Sequence, residues 1–173
     1  MLLITKVFLF RLRVLLYKQC LTVFNKILVV CTANICRSPV GEYLLKHYLT
    51  EHGHTGCHVA SAGTHALVNE PAVENSQKVM LAQSNIEIST HRAQQVTQEI
   101  IKQHDLILVM ETHHKKYLEQ YYPFAIGKIQ LLGKWRNEEI DDPYRLPYLA
   151  FEKMHGNIAR CLKDWTDKFW PQQ

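Results

Sequence analysis

A thiol and a guanidinium stand five residues apart in Cys31-Thr32-Ala33-Asn34-Ile35-Cys36-Arg37-Ser38-Pro39. The stretch follows a short apolar run, Lys26 to Cys31, and precedes a helical pattern. A loop of this length can curl until its backbone N–H groups face one anion, with the dipole of the following helix adding positive potential. Arg37 suits the rim of such a bowl, because its planar fork meets two phosphate oxygens at once. Peptide N–H groups and a fixed cation around a thiol favour its ionised, nucleophilic form. Ser38 can offer the sulfur a hydroxyl. The chemistry expected is attack of the Cys31 sulfur on phosphorus. A Cys-x5-Arg pair alone is a weak signal, but Cys-x5-Arg-Ser-Pro at a strand–helix junction is a strong one.

A thiol that takes a phosphoryl group from an ester with a poor leaving oxygen needs an acid to protonate that oxygen. Ile140-Asp141-Asp142-Pro143-Tyr144 offers two carboxyls just before a proline. Pro143 fixes its own φ and holds Asp142 extended, which aims the carboxyl. Taken alone, the doublet reads equally well as an acidic surface turn. Cys36 either pairs with Cys31 in a disulfide that shields the nucleophile from over-oxidation or only fills space beneath the loop. Cys36 with Cys57-His58 is too sparse for a zinc site. No metal and no cofactor are expected.

These loops need elements to carry them. Lys26–Cys31 is continuously apolar after its first residue, as expected of a parallel strand covered on both faces. Ser38 and Pro39 read as N-cap and first helical residue. Val40, Leu44, Leu45, Tyr48 and Leu49 follow at helical spacing, with Gly53 or Gly56 as the stop. Strands are expected over 57–62, 105–110 and 128–132, and a helix over 71–83. A final helix carries Phe151, Met154, Ile158, Leu162, Trp165 and Phe169 on one stripe. Strands alternating with helices imply a single α/β domain: a four-stranded parallel sheet with helices on both faces, its ligand beyond the carboxyl ends of the strands.

The 173 residues suffice for one domain with a real core. The net charge of +4 is uneven. Residues 1–26 hold five basic side chains and no acid, whereas the remainder sums to −1. The body is therefore no nucleic-acid-binding domain. Five cysteines make an odd count that suits a reducing cytoplasm better than a secreted disulfide framework. Lys6, Arg11, Arg13 and Lys18 break the apolar stretches of residues 1–24 below the length of a membrane span or a signal peptide. That segment reads as a basic hydrophobic extension before a domain over 25–170. Membrane contact through a basic amphipathic helix is the alternative.

Cys31-Thr32-Ala33-Asn34-Ile35-Cys36-Arg37-Ser38-Pro39, with Glu42 three residues on, resembles the signature of the low-molecular-weight protein-tyrosine phosphatases of bacterial type. Ser61-Ala-Gly-Thr64, His91-Arg-Ala93, Asp105–Met110 and Asp142-Pro-Tyr144 follow in the family's order. Ala33 departs from a usual Gly, a change that costs on the order of 1 kcal/mol if the position needs φ > 0.

The resemblance implies hydrolysis of phosphotyrosine through a phospho-cysteine intermediate, with Cys31 as nucleophile, Arg37 on the phosphate and Asp142, the residue next to the proline, as acid. It also implies that Thr32, Ala33, Asn34, Ile35, Cys36 and Ser38 form the phosphate loop, and that His91 is a hydrogen-bond partner of Asn34. Leu67 and Tyr144 then line the cleft, although Leu67 reads equally as core packing and His91 as a surface imidazole. The implied partners are inorganic phosphate and a phosphotyrosine protein, including an autophosphorylated kinase of capsule or exopolysaccharide export. Two other functions fit parts of the sequence: a thiol-dependent arsenate reductase, which needs relay cysteines, and a non-catalytic phosphotyrosine-binding module.

Overall fold

The computed structural model describes residues 24–172. The extension expected at residues 1–24 therefore lies, but for Phe24, outside the described residues. Four strands form one parallel sheet: β1 (Lys26–Cys31), β2 (His58–Gly63), β3 (Leu106–Val109) and β4 (Ile129–Leu131), in the order β2-β1-β3-β4. Central β1 is buried from Ile27 to Cys31. It sets Cys31 opposite Gly63 of β2 and Val30 opposite Val109 of β3.

Among the described residues five α-helices connect and cover the strands: α1 (Arg37–Glu51), α2 (Glu74–Ser84), α3 (Gln98–Gln103), α4 (Thr112–Tyr121) and α5 (Tyr148–Phe169). Side chains alternate along β1, as the pleat requires. Ile27, Val29 and Cys31 enter the core shared with α1, α2 and α5, while Leu28 and Val30 enter the one shared with Ile101 of α3 and Leu118 of α4. Helices thus lie on both faces. The α5 stripe from Phe151 to Trp165 is buried as its spacing predicts, and Phe169 is partly covered. At Gly41, a Cβ would come 2.9 Å from Val29 Cγ1, so α1 can lie this close to β1 because that position has no side chain.

Several boundaries differ from expectation. α2 begins at Glu74 and not Pro71, because Val73 stays extended and gives its N–H to the Ile35 carbonyl at 2.9 Å. α1 begins at Arg37, and Ser38 is not its N-cap; the hydroxyl is turned toward the Cys31 sulfur. Helices α3 and α4 were not expected, being short with few apolar positions. A 3-10 helix, Pro123–Lys128, occupies the turn before β4.

Candidate active site

The Cys31–Arg37 loop leaves β1 at its carboxyl end, between the strands on either side, where an open α/β sheet has its crevice. Its conformation is fixed from Asn34. That residue has φ 59°, in the left-handed region that Asn tolerates better than most. Its side chain uses every hydrogen-bonding atom. Nδ2 donates to Ser38 Oγ and to Ser61 Oγ, each at 2.8 Å, and Oδ1 accepts the Gln94 N–H at 2.9 Å. Ser61 Oγ in turn donates a hydrogen bond to Glu42 Oε2 at 2.6 Å. His91 Nε2 donates to the Asn34 carbonyl at 2.8 Å, and the ring is buried, which lowers its pKa. His91 is therefore no surface imidazole. Ala33 carries none of the left-handed strain considered for it, since Asn34 takes that conformation.

With Ser38 Oγ accepting from Asn34, its hydrogen is left for the Cys31 sulfur, 2.9 Å away. The backbone braces the loop from β2 and beyond: the carbonyls of Cys31, Thr32 and Ala33 accept the N–H groups of Thr64, His65 and Leu67. Gly63 lies beneath them, where a Cβ would stand 2.4 Å from the Thr32 carbonyl oxygen. Thr32 Oγ1 meets His114 Nε2 at 2.9 Å. Ile35 is buried, and Cys36 is a free, buried thiol whose pKa burial pushes up to about 12. Cys31 is also a free thiol.

Arg37 is 1% exposed yet carries a full charge, so its partners matter. Nη1 donates to Glu111 and, at 2.9 Å, to the Ile140 carbonyl; Nη2 reaches Asp142 Oδ2 at 2.6 Å. The two acids before Pro143 thus part company. Asp142 joins Arg37, while Asp141 pairs with Lys153 at 3.2 Å. Asp142 Oδ1 also accepts the Tyr144 N–H at 3.1 Å, an arrangement that holds the turn around Pro143. Leu67 is 47% exposed and Tyr144 45%, which rules out plain core packing for Leu67. Each is tied by its backbone to the site, Leu67 through Ala33 and Tyr144 through Asp142.

Glu111, His114 and Gln94 were missed from sequence, and Ser61 was quoted there without a role. Glu111 had one available signal: an acid just past the carboxyl end of β3, where a parallel sheet presents its site. The others are ordinary residues until the fold joins them. His114 is wholly buried, and its pKa falls to about 3, chiefly from desolvation and then from His113 and Arg37.

The model of the low molecular weight phosphotyrosine protein phosphatase family matches residues 26–172. The chain belongs to that family. Etp, a low molecular weight protein-tyrosine-phosphatase of Escherichia coli (strain K12), is 40% identical over 146 residues, which is 84% of this chain and 95% of the relative. The crystal structure of the Erwinia amylovora tyrosine phosphatase AmsI superposes with a TM-score of 0.78 at 39% identity, over 84% of this chain and 93% of that one. Vibrio vulnificus Wzb in complex with benzylphosphonate gives a TM-score of 0.78 at 40% identity, over 84% and 99% of the two chains. This phosphatase is thus a protein-tyrosine phosphatase by family.

Proposed function

We propose that Cys31, Arg37 and Asp142 carry the phosphatase reaction. The Cys31 thiolate attacks phosphorus in line with the tyrosyl oxygen, forming a sulfur–phosphorus bond as the phosphorus–oxygen bond breaks. Asp142 gives its proton to the departing oxygen. Water, deprotonated by the same Asp142, then cleaves the sulfur–phosphorus bond and releases phosphate, while Ser38 holds the leaving thiolate. Arg37 and the loop N–H groups neutralise the equatorial oxygens. One observation carries this assignment: residues 31, 37 and 142 meet at one strand end, with Ser38 Oγ 2.9 Å from the sulfur and Arg37 Nη2 2.6 Å from Asp142. Vibrio vulnificus Wzb, 40% identical to this chain, was solved in complex with benzylphosphonate, which supports a ligand that joins a phosphoryl-like group to an aromatic ring.

An arsenate reductase would need relay thiols. Cys57 lies near Phe24 before β1, at the end away from the loop, and Cys161 is buried beside Glu138. Neither is placed to relay. Cys31→Ser should abolish turnover of an aryl phosphate, and rapid quenching of the Asp142→Ala variant should trap one phosphate on Cys31. Label on another residue, or turnover kept in Cys31→Ser, overturns the assignment. Phosphate bound without release would instead favour a binding module.

The resemblance to bacterial members supports an autophosphorylated tyrosine kinase of exopolysaccharide export as the protein substrate. Four free cysteines among the described residues support a cytoplasmic setting, and among those residues no helix is long and apolar enough to cross a membrane. Incubation with such a kinase, purified in its phosphorylated form, should release its phosphate; resistance of that protein while an aryl phosphate is cleaved would exclude it.

A further inference from the structure

Glu111, His113 and His114, around the start of α4, form a cluster that the phosphatase chemistry uses only in part. One carboxylate oxygen and one nitrogen from each imidazole all lie within 4.8 Å of one another. His113 Nδ1 is 3.7 Å from Glu111 Oε1, and His114 Nδ1 is 3.8 Å from Glu111 Oε2. The two rings lie against each other, centroids 3.9 Å apart, and turn the same nitrogen toward one carboxylate. His114 is fully buried, and its Nδ1 has no hydrogen-bond partner among the described residues. A buried ring nitrogen left in this way is costly unless something binds it.

We propose that these three side chains bind a divalent transition-metal ion of the zinc type, through Glu111 Oε1, His113 Nδ1 and His114 Nδ1. Two imidazoles and a carboxylate are a common zinc donor set, with a fourth place for water. Ligand histidines are usually oriented by a hydrogen bond from the other ring nitrogen. His114 has such a partner, Thr32 Oγ1 at 2.9 Å from Nε2; in the tautomer in which Nε2 donates to it, Nδ1 keeps a free lone pair for a metal. Bonds of about 2.1 Å to one ion require the three donor atoms to close to roughly 3.5 Å. His113, with a side chain 62% exposed, can supply that movement. Glu111 keeps Oε2 on Arg37 meanwhile, so the ion and the phosphate-binding guanidinium share one carboxylate.

The test titrates Zn²⁺ into the full chain carrying Cys31→Ser, which removes the loop thiol as a competing ligand, by calorimetry. One site should be seen. Adding His113→Ala should weaken it at least tenfold, whereas adding His47→Ala on α1 should not. Co²⁺ should give ligand-field bands of a nitrogen–oxygen site, without sulfur-to-metal charge transfer. Equal Zn²⁺ affinity with and without His113 overturns the proposal. So does a cobalt spectrum dominated by sulfur in the parent and lost with Cys31→Ser.

Discussion

Replacing Asp142 by Asn should make this phosphatase a poorer catalyst and a better binder of inorganic phosphate. In the free protein the Asp142 carboxylate sits on the guanidinium proposed to receive the substrate, at 2.6 Å from Nη2. An incoming phosphate has to displace it. The Asp142 side chain is 43% exposed, so the ion pair belongs to the solvent-screened class worth roughly 0.2–1 kcal/mol. Removing the negative charge should therefore tighten phosphate by up to about fivefold. Asn keeps an oxygen for the Tyr144 N–H, so the turn around Pro143 is retained. Loss of the proton donor acts in the other direction: general acid catalysis contributes about 10²–10⁴-fold. That loss should fall on phenyl phosphate and phosphotyrosine, and far less on p-nitrophenyl phosphate, whose leaving group needs little help. Competitive inhibition by phosphate measures the first effect, and kcat/KM on phenyl phosphate against p-nitrophenyl phosphate, which covers the cleavage step and not the hydrolysis of the phospho-cysteine, measures the second. Phosphate inhibition that is unchanged or weaker, or an equal fall in kcat/KM on phenyl phosphate and p-nitrophenyl phosphate, would refute the dual role proposed for Asp142.

Asn34→Ala removes three buried side-chain hydrogen bonds and leaves Ala at φ 59°; at about 1 kcal/mol for each, stability should fall by roughly 3–4 kcal/mol, read as a lower denaturant midpoint. Gly63→Ala would force a methyl group against the Thr32 carbonyl, 2.4 Å from the ideal Cβ, so phosphate affinity should drop together with stability, by roughly 1–3 kcal/mol in the latter. Retained phosphate affinity in that variant would show that the loop can shift without consequence. Burial, with Glu138 beside it, raises the Cys161 thiol pKa to about 12. The folded state then holds a proton that the unfolded state gives up, so Cys161 contributes stability below pH 9 that is lost as pH rises from about 9 to 12. Chemical denaturation across that window should show a shallower decline in Cys161→Ala than in the parent.

What could be read before folding was what depends on neighbours in the chain. The apolar run of β1, the stripe of α5 and the Cys31–Arg37 spacing are local, and each stands where its pattern puts it. The choice between Asp141 and Asp142 was not local. It rests on which carboxyl reaches Arg37, 105 residues back, and which meets Lys153. Glu111 escaped notice for the same reason, since only the pairing of β1 with β3 brings it to the arginine. Ser38 could be read both as an N-cap and as a hydroxyl for the sulfur, because spacing does not distinguish the two; the fold keeps the second and not the first.

The described chain starts and finishes on one floor of the molecule. Phe24 packs on Phe169 and accepts the Trp170 indole N–H, while the Trp170 and Pro171 carbonyls meet His52 and His54 at the foot of α1. From there β1 climbs six residues, about 20 Å, to the sulfur. A tether, dye or fusion partner attached near either of these ends would hang from the base, leaving the mouth of the cleft open to a substrate as bulky as another protein.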